Sequence, residues 1–252
     1  MSTAERVNHK ELSDNYVLQR SISAYVSAAK LVNGKVLEIG TGSGYGIDYL
    51  APCVKEFVTI DKFQPSDVDF SKYHNVLFQR CTVPPLPFQD NEFDFVVSFQ
   101  VIEHIKDDKT FVKEIYRVLK PGGKFIVTTP NILTTLTRNP WHIREYTKEE
   151  LQKLLANYFS QITMLGVYGN EKVMKYYEHN KKSVQQIMKW DVFDLQHRLP
   201  AWMLRIPYDI LNRLNRRKLL KENPLTKDIT VNDFYIDKAD DTALDLFYIA
   251  EK

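Results

Sequence analysis

The stretch from Lys35 to Gly46, KVLEIGTGSGYG, constrains the fold of this chain more than any other segment. Its residues Val36 to Ile39 predict a short buried strand, and the four alternating glycines after them predict a turn that leads into a helix. Glycine in such a turn permits positive φ angles and lets a ligand approach the backbone closely. Strand, glycine turn and helix in this order are typical of a nucleotide-type pocket at the carboxyl end of a strand.

The details of the loop narrow the type of ligand. A dinucleotide fingerprint would need its third glycine at Tyr45, and the Gly-Lys-Ser/Thr ending of a phosphate-binding P-loop is absent. Glu38 precedes the first glycine and predicts a carboxylate at the mouth of the site, which would repel a pyrophosphate and favour a cationic ligand. Asp61 ends the strand-like run FVTID. It stands near the usual place for a carboxylate that accepts hydrogen bonds from ribose hydroxyls.

These residues resemble the class I S-adenosylmethionine-dependent methyltransferases, together with the later motifs FDFVVS, VIEHI and RVLKPGGKFIVTTPN. The resemblance is to the methyltransferase type 11 domain. The similarity covers roughly Leu31 to Gly169. It implies a Rossmann-like three-layer α/β/α sandwich with a mostly parallel, seven-stranded sheet, an antiparallel last strand and a helical insertion. It also implies an enzyme that transfers the methyl group of S-adenosylmethionine.

The order of the elements predicts four parts of the chain. Residues 1–34 form an N-terminal helical segment, residues 35–169 the cofactor-binding core, residues 170–230 a helical basic insertion, and residues 231–252 the closing strand. Phe159 to Val167 and Ala243 to Ala250 read as the last two strands. We expect these two to pair in antiparallel fashion, as in the usual class I sheet.

The resemblance implies a set of cofactor contacts. The glycine turn and the end of the second strand would hold the methionine and ribose parts, and Thr82 and Val83 occupy the positions that hold adenine in similar enzymes. Gln100 follows the fourth strand, where the methionine part would lie. The expected contacts are Glu38, Gly40, Thr41, Gly42, Gly44, Asp61, Lys62, Thr82, Val83 and Gln100.

Two histidines are candidate catalytic bases. His104 follows Gln100 closely, and the ordinary pKa of a histidine, about 6.5, suits proton removal near neutral pH. The alternative is that Glu103 and His104 form a structural cap of the site. His142 is the second candidate. We expect no metal site, since the two cysteines, Cys53 and Cys81, lie in different elements and are not closely spaced.

The loop before Thr147 carries many side chains of functional type. Thr147 and Glu150 predict a capping box that fixes this loop at the start of a helix. Trp141 and Tyr146 are expected to stack on the acceptor and Arg144 to hold a carboxylate or phosphate. In the alternative interpretation Arg144 pairs with Glu145 and the aromatic residues only pack.

The insertion is basic, with 12 Lys and Arg against 6 Asp and Glu between Glu171 and Glu222. It can be a solvated helical cap, a lid over the acceptor pocket, or a contact with an anionic surface such as lipid headgroups, a phosphate-bearing acceptor or nucleic acid. The overall charge of +2 argues against general nucleic-acid binding. Peripheral membrane contact remains open.

Taken together, these features predict a cytoplasmic methyltransferase that acts on a small-molecule, lipid-precursor or glycan acceptor. The chain begins with the polar run MSTAERVNHKELSDN and contains no apolar run of the roughly 18 residues that a membrane span requires. The alternative is a protein that binds S-adenosylmethionine without transferring the methyl group and acts through a partner. A nicotinamide-dependent oxidoreductase is disfavoured by Tyr45 and Glu38.

Overall fold

The computed structural model describes residues 11–66, 68–191, 193–222 and 225–252. Within these residues eight strands form one mixed sheet. The strands are β1 (Lys35–Ile39), β2 (Glu56–Asp61), β3 (Val76–Arg80), β4 (Phe93–Phe99), β5 (Leu119–Pro130), β6 (Gln161–Gly169), β7 (Phe234–Lys238) and β8 (Asp245–Glu251).

The sheet has the order β3-β2-β1-β4-β5-β8-β6-β7. The first five strands in this order are parallel to one another, whereas β8 is antiparallel to both β5 and β6. The predicted antiparallel pairing of the last two strands is therefore confirmed. The predicted count of seven strands is corrected to eight, because the short segment Phe234–Lys238 adds β7 to the outer edge of β6.

Helices cover both faces of the sheet, as the predicted three-layer class requires. The helices are α1 (Asn15–Ala29), α2 (Ile47–Leu50), α3 (Asp108–Val118), α4 (Lys148–Leu155), α5 (Glu171–Met188), α6 (Leu195–Arg198), α7 (Ala201–Glu222) and α8 (Leu225–Asp228). One apolar core lies where α3 and α4 pack on the sheet. A second core lies on the opposite face, beneath α1, α2 and α5.

The amphipathic pattern of α3 shows how the sequence builds this packing. Phe111, Val112, Ile115 and Val118 recur at helical spacing, and all four are buried. The side chain of Asp107 accepts a hydrogen bond from the backbone N–H of Thr110 and so caps the start of the helix. Such a helix gains most of its stability from burying this one face.

The parallel strands end at a common edge of the sheet, which positions the candidate site. β1 and β4 are neighbours in the sheet although they are not consecutive in the chain. From β1 the chain continues to β2 on one side, and from β4 it continues to β5 on the other side. A crevice forms at such a reversal and is the usual ligand site of open α/β sheets. The residues that follow the strands there are Gly40 after β1, Lys62 after β2, Gln100 after β4 and Asn131 after β5.

The insertion is helical and is tied to the N-terminal helix. The Asn15 side chain donates hydrogen bonds to the carbonyl oxygens of Thr226 and Ile229, each at 2.8 Å. Arg216 of α7 forms an ion pair with Asp14, at 2.9 Å. The division of the chain into four parts stays a prediction, and its residues 1–10, 67, 192, 223 and 224 lie outside the described residues.

Candidate active site

A cavity of about 1260 Å³ opens at the carboxyl edge of the sheet. Its floor consists of the glycine turn and the residues that follow β2 and β4. Its walls come from α1, from the loop of residues 130–145 and from the inner faces of α5 and α7. The segment that resembles the methyltransferases therefore builds the floor, and the less familiar helices enclose the remainder.

The glycine turn has the backbone that its sequence predicts. Gly40, Gly42 and Gly44 have φ angles of +98°, +58° and +85°. A Cβ atom on Gly40 would lie 2.4 Å from Cγ2 of Val101, and one on Gly44 would lie 2.2 Å from Cγ2 of Val68. A Cβ on Gly42 would meet nothing closer than 4.0 Å. Gly40, Gly42 and Thr41 line the cavity, whereas Gly44 is not among its lining residues within the described chain.

Glu38 requires a correction, because it lies beneath the turn and not at the mouth of the site. Its carboxylate is buried, and it accepts hydrogen bonds from the Tyr25 hydroxyl at 2.7 Å and the Thr59 hydroxyl at 2.5 Å. Burial raises the pKa of Glu38 to about 7, although the two hydrogen bonds oppose this rise. Glu38 therefore supports the turn from below, and its side chain does not line the cavity.

Asp61 stands where the sequence predicts it, at the end of β2 on the cavity floor. One carboxylate oxygen accepts the backbone N–H of Gly42 and the other accepts that of Phe63, both at 2.9 Å. Lys62 also lines the cavity, with its ammonium 5.2 Å from the centre of the Phe63 ring.

The other expected cofactor residues line the same cavity. Thr82 and Val83 lie on its wall beyond Asp61, in the loop after β3. Gln100 lines the cavity directly after β4 and has a φ angle of +57°. This angle is uncommon for a residue other than glycine, and residues in such conformations are enriched at functional positions. The Gln100 backbone N–H donates to the Thr128 carbonyl at 3.0 Å, which fixes the turn.

The two candidate bases, His104 and His142, meet at one wall of the cavity. Their ring centres are 4.9 Å apart and the rings are nearly perpendicular. Nδ1 of His104 lies 3.0 Å from the carbonyl oxygen of Trp141. Nδ1 of His142 lies 2.6 Å from Oε1 of Glu145, and its Nε2 lies 2.9 Å from Nδ2 of Asn139. The sequence alone does not reveal this link from Asn139 through His142 to Glu145.

The loop residues predicted to hold the acceptor divide into two groups. Trp141 lines the cavity, and its indole N–H donates to Asp209 of α7 at 3.0 Å. Arg144 and Tyr146 do not line it, and the prediction for them is corrected. Tyr146 is fully buried and donates its hydroxyl hydrogen to Asp108, and the exposed Arg144 pairs with the same carboxylate and stacks over the Tyr146 ring.

The N-terminal helix supplies further cavity residues. Tyr16 and Arg20 of α1 both line the cavity. Arg20 Nε lies 3.1 Å from Oδ2 of Asp245, a buried carboxylate at the start of β8. Burial raises the pKa of Asp245, and the nearby Arg20 opposes this rise. Asp245 is an isolated charge in the apolar run TALDLFYIA, which is a signal that could have identified it.

The inner faces of α5 and α7 complete the enclosure. Tyr176 stacks on Tyr16 with ring centres 4.5 Å apart. The amide of Asn215 donates to Asn180 at 2.8 Å, and the Ser183 hydroxyl donates to Asn215 at 2.7 Å. These bonds join the two helices across the cavity wall. No motif in the sequence marks these residues, because helix packing alone brings them to the site.

One cluster in the wall has groups of the kind that bind divalent cations. Ligand atoms of Glu103, His104 and His142 lie within 4.8 Å of one another. The hydrogen bonds of His142 to Asn139 and Glu145 engage both of its ring nitrogens. A cation could bind His142 only by displacing one of these bonds, so the arrangement described is a hydrogen-bonded cluster.

The chain has the features that define the class I methyltransferase fold. These are parallel strands in this order, an antiparallel strand beside β5, a glycine turn after β1 and a carboxylate at the end of β2. The solved YcgJ protein of Bacillus subtilis has this fold. It matches this chain with a TM-score of 0.55 and 20% sequence identity, over 91% of this chain and 97% of that protein.

The sequence comparisons identify the family. The family described as a methyltransferase domain matches residues 37–127. A probable S-adenosylmethionine-dependent methyltransferase of Mycolicibacterium smegmatis is 36% identical over 174 residues, which is 66% of this chain and 68% of that protein. One from Mycobacterium tuberculosis is 34% identical over 168 residues, or 64% and 61% of the two chains. This chain therefore belongs to the S-adenosylmethionine-dependent methyltransferases.

Among the described residues, no helix combines the length and the apolar character needed to cross a membrane.

Proposed function

We propose that this protein transfers the methyl group of S-adenosylmethionine to a hydroxyl oxygen of a small-molecule, lipid-precursor or glycan acceptor, with His104 as the base. The observation that carries the proposal is the hydrogen bond of His104. Its Nδ1 lies 3.0 Å from the Trp141 carbonyl oxygen, which can only accept a hydrogen bond. In the neutral imidazole the ring hydrogen is therefore on Nδ1 and the lone pair is on Nε2, the nitrogen that would take the proton of the acceptor.

His142 is less suited to this role. The Asn139 side chain is oriented by its Oδ1, which accepts the backbone N–H of Trp141 at 3.0 Å. Its NH₂ group therefore faces Nε2 of His142 and donates to the lone pair of that nitrogen. The other ring nitrogen donates to Glu145. We assign His142 a positioning role, in which its ring holds that of His104 edge to face.

The residues of the cavity floor fit the cofactor. The space above Gly42 is open, and Asp61 lies on the cavity floor, where its carboxylate would meet the ribose hydroxyls. Thr82 and Val83 would hold the adenine, and Gln100 would face the methionine part. Bound S-adenosylmethionine supplies an electrophilic methyl group on a sulfonium sulfur. The protein aligns the acceptor, excludes water and removes the proton, and such alignment can lower a barrier by roughly 7 to 11 kcal/mol.

The size and lining of the cavity support an acceptor bound beside the cofactor. Its volume of about 1260 Å³ exceeds the roughly 300 to 1,000 Å³ of a pocket for one ligand. The far wall combines the aromatic rings of Tyr16, Trp141 and Tyr176 with the amides of Asn180 and Asn215. Such a wall suits an acceptor with a flat or sugar-like part and several hydroxyl groups.

The test uses S-adenosylmethionine with a tritiated methyl group and an extract of the source cells. After incubation the products are separated into water-soluble, lipid, polysaccharide, protein and nucleic-acid fractions. We expect label in one of the first three fractions, and label only in protein or nucleic acid would refute the acceptor class.

The base is tested on the labelled fraction with His104→Gln. Glutamine keeps a donor for the Trp141 carbonyl but cannot take a proton. We expect kcat to fall by about 10²- to 10⁴-fold, while the affinity for S-adenosylmethionine is unchanged. The matched control is His74→Ala, because His74 is exposed in the loop before β3. Full activity of His104→Gln would refute the assignment of the base.

A further inference from the structure

Helix α7 has two faces of different chemistry. Tyr208, Asn212, Asn215 and Arg216 line the cavity, and Leu219 is fully buried. These residues recur at intervals of three and four, so they form one side of the helix, the inner face. The inner face accounts for the docking of α7 onto the protein.

The opposite side of α7 exposes an apolar stripe to solvent. Trp202, Ile206, Ile210 and Leu214 follow one another at intervals of four residues and therefore lie in one row. Their exposed fractions are 69%, 72%, 54% and 57%, and the neighbouring Met203 is 44% exposed. Single exposed apolar residues are common on proteins, but a contiguous row of this kind marks an interaction surface.

The same side becomes basic toward the end of the helix. Arg213, Arg217 and Lys221 form a second row at intervals of four, and Lys218 is beside them. All four residues are exposed. The two acidic residues of α7 are not part of these rows: Asp209 accepts the hydrogen bond from Trp141, and Glu222 ends the helix. We use the name outer face for the apolar row and the basic row together with their neighbours Met203 and Lys218.

We propose that the outer face of α7 binds an anionic lipid surface, with the helix lying in the plane of the headgroups. An apolar row that includes tryptophan, continued by a cluster of Lys and Arg, is the composition of helices that bind membranes in this way. The charge of the outer face is complementary to anionic headgroups, although the whole chain carries a charge of only +2. The segment before α7 adds two strongly exposed aromatic residues, Trp190 and Phe193.

This orientation also bears on the identity of the substrate. That step rests on the proposed function. Because the inner face of α7 is a wall of the cavity, a membrane bound to the outer face would lie one helix diameter from the acceptor site. An acceptor with a lipid tail would then reach the cavity from the surface. Among the proposed acceptors, the lipid precursor is the one that this geometry favours.

Co-sedimentation of the full chain with vesicles tests the docking surface. We expect binding to vesicles of phosphatidylcholine and phosphatidylglycerol, weaker binding at raised salt, and little binding to phosphatidylcholine alone. The emission of Trp190 and Trp202 should shift to shorter wavelength on binding. No acceptor or turnover is involved, so failed methyl transfer would leave this result unchanged, and absent vesicle binding would leave the methyltransferase assignment unchanged.

Two sets of variants locate the surface. Neutralising three basic residues in Arg217→Gln/Lys218→Gln/Lys221→Gln should weaken binding to the anionic vesicles on the order of a hundredfold, since each basic residue near such a surface contributes about fivefold. The control, Lys106→Gln/Lys109→Gln/Lys113→Gln, removes three exposed lysines at α3 and should bind normally. Ile206→Ser/Ile210→Ser should also reduce binding, unlike Leu77→Ser on the exposed edge strand.

Three results would overturn the proposal. One is no binding to anionic vesicles by the wild type, and another is an equal effect of the outer-face and control variants. The third is self-association of the protein in sedimentation velocity that Ile206→Ser/Ile210→Ser abolishes, without vesicle binding. That result would assign the face to contact with a second copy of the chain.

Discussion

Asp61 offers the sharpest test of the cofactor site. In the structure its two carboxylate oxygens already hold the backbone N–H groups of Gly42 and Phe63, each at 2.9 Å. The same carboxylate, on the cavity floor, is the group that would accept hydrogen bonds from the ribose hydroxyls. Asp61→Ala would remove both the proposed ribose contact and the anchor of the glycine turn.

The magnitude follows from the charge of this group. A hydrogen bond to a charged group contributes about 1.5 to 3 kcal/mol. Since each 1.36 kcal/mol corresponds to a tenfold change in affinity, the dissociation constant for S-adenosylmethionine should rise by roughly 10- to 150-fold. The loss of the two backbone bonds is expected to lower the stability of the turn as well.

Calorimetric titration of each variant with S-adenosylhomocysteine measures the affinity, and urea unfolding measures the stability. The control is Asp69→Ala, because Asp69 is an exposed carboxylate that caps the turn at Ser71 and does not line the cavity. It should bind the ligand as the wild type does. An unchanged affinity in folded Asp61→Ala would remove Asp61 from the site and refute the reasoning.

Three further predictions concern residues around the site. Burial raises the pKa of Glu38 to about 7, so the contribution of this carboxyl group to stability is present below pH 4.5 and lost as the pH rises through 7. The unfolding free energy of the wild type should therefore fall relative to that of Glu38→Gln by about 2 to 3 kcal/mol between pH 5 and pH 8. A difference in urea unfolding that stays constant over this pH range would contradict the prediction. Gly44→Ala should destabilise the protein by about 2 to 4 kcal/mol, because of the positive φ and the contact of the new Cβ with Val68. Gly42→Ala should lose only about 1 to 2 kcal/mol of stability but should weaken cofactor binding more than Gly44→Ala does. A larger loss of stability in Gly42→Ala than in Gly44→Ala would contradict this prediction. Treatment with EDTA should leave methyl transfer unchanged, because His142 is engaged at both ring nitrogens; a loss of activity that a divalent cation restores would instead show that the histidine cluster binds metal.

Most of the strands and the position of the cavity floor could be predicted from the sequence because their signals are local. Apolar runs bounded by turn residues mark β1, β2 and β4, and alternating glycines mark the turn. The capping box of Thr147 and Glu150 is present as expected. β7 could not be predicted because FYIDK is short and two of its five residues are charged, and in the described sheet it pairs with the outer edge of β6 alone.

Side-chain direction could not be predicted in the same way. Glu38 precedes the glycine turn, but strand alternation directs it below the sheet edge, toward Tyr25 and Thr59. Tyr146 lies in a loop rich in functional residues, yet its ring is buried and its hydroxyl bonds to Asp108. The part of the cavity wall formed by α1, α5 and α7 could not be predicted either, because packing between residues distant in the chain brings these helices together.

We propose that one cavity holds the cofactor on its floor, at the edge of the sheet, and the acceptor beneath the helices. A crystal structure of the protein with S-adenosylhomocysteine tests this claim most directly. The account predicts ribose hydroxyls on Asp61, adenine beside Thr82 and Val83, and the sulfur facing the histidine wall. A ligand bound elsewhere, or with its ribose away from Asp61, would contradict it.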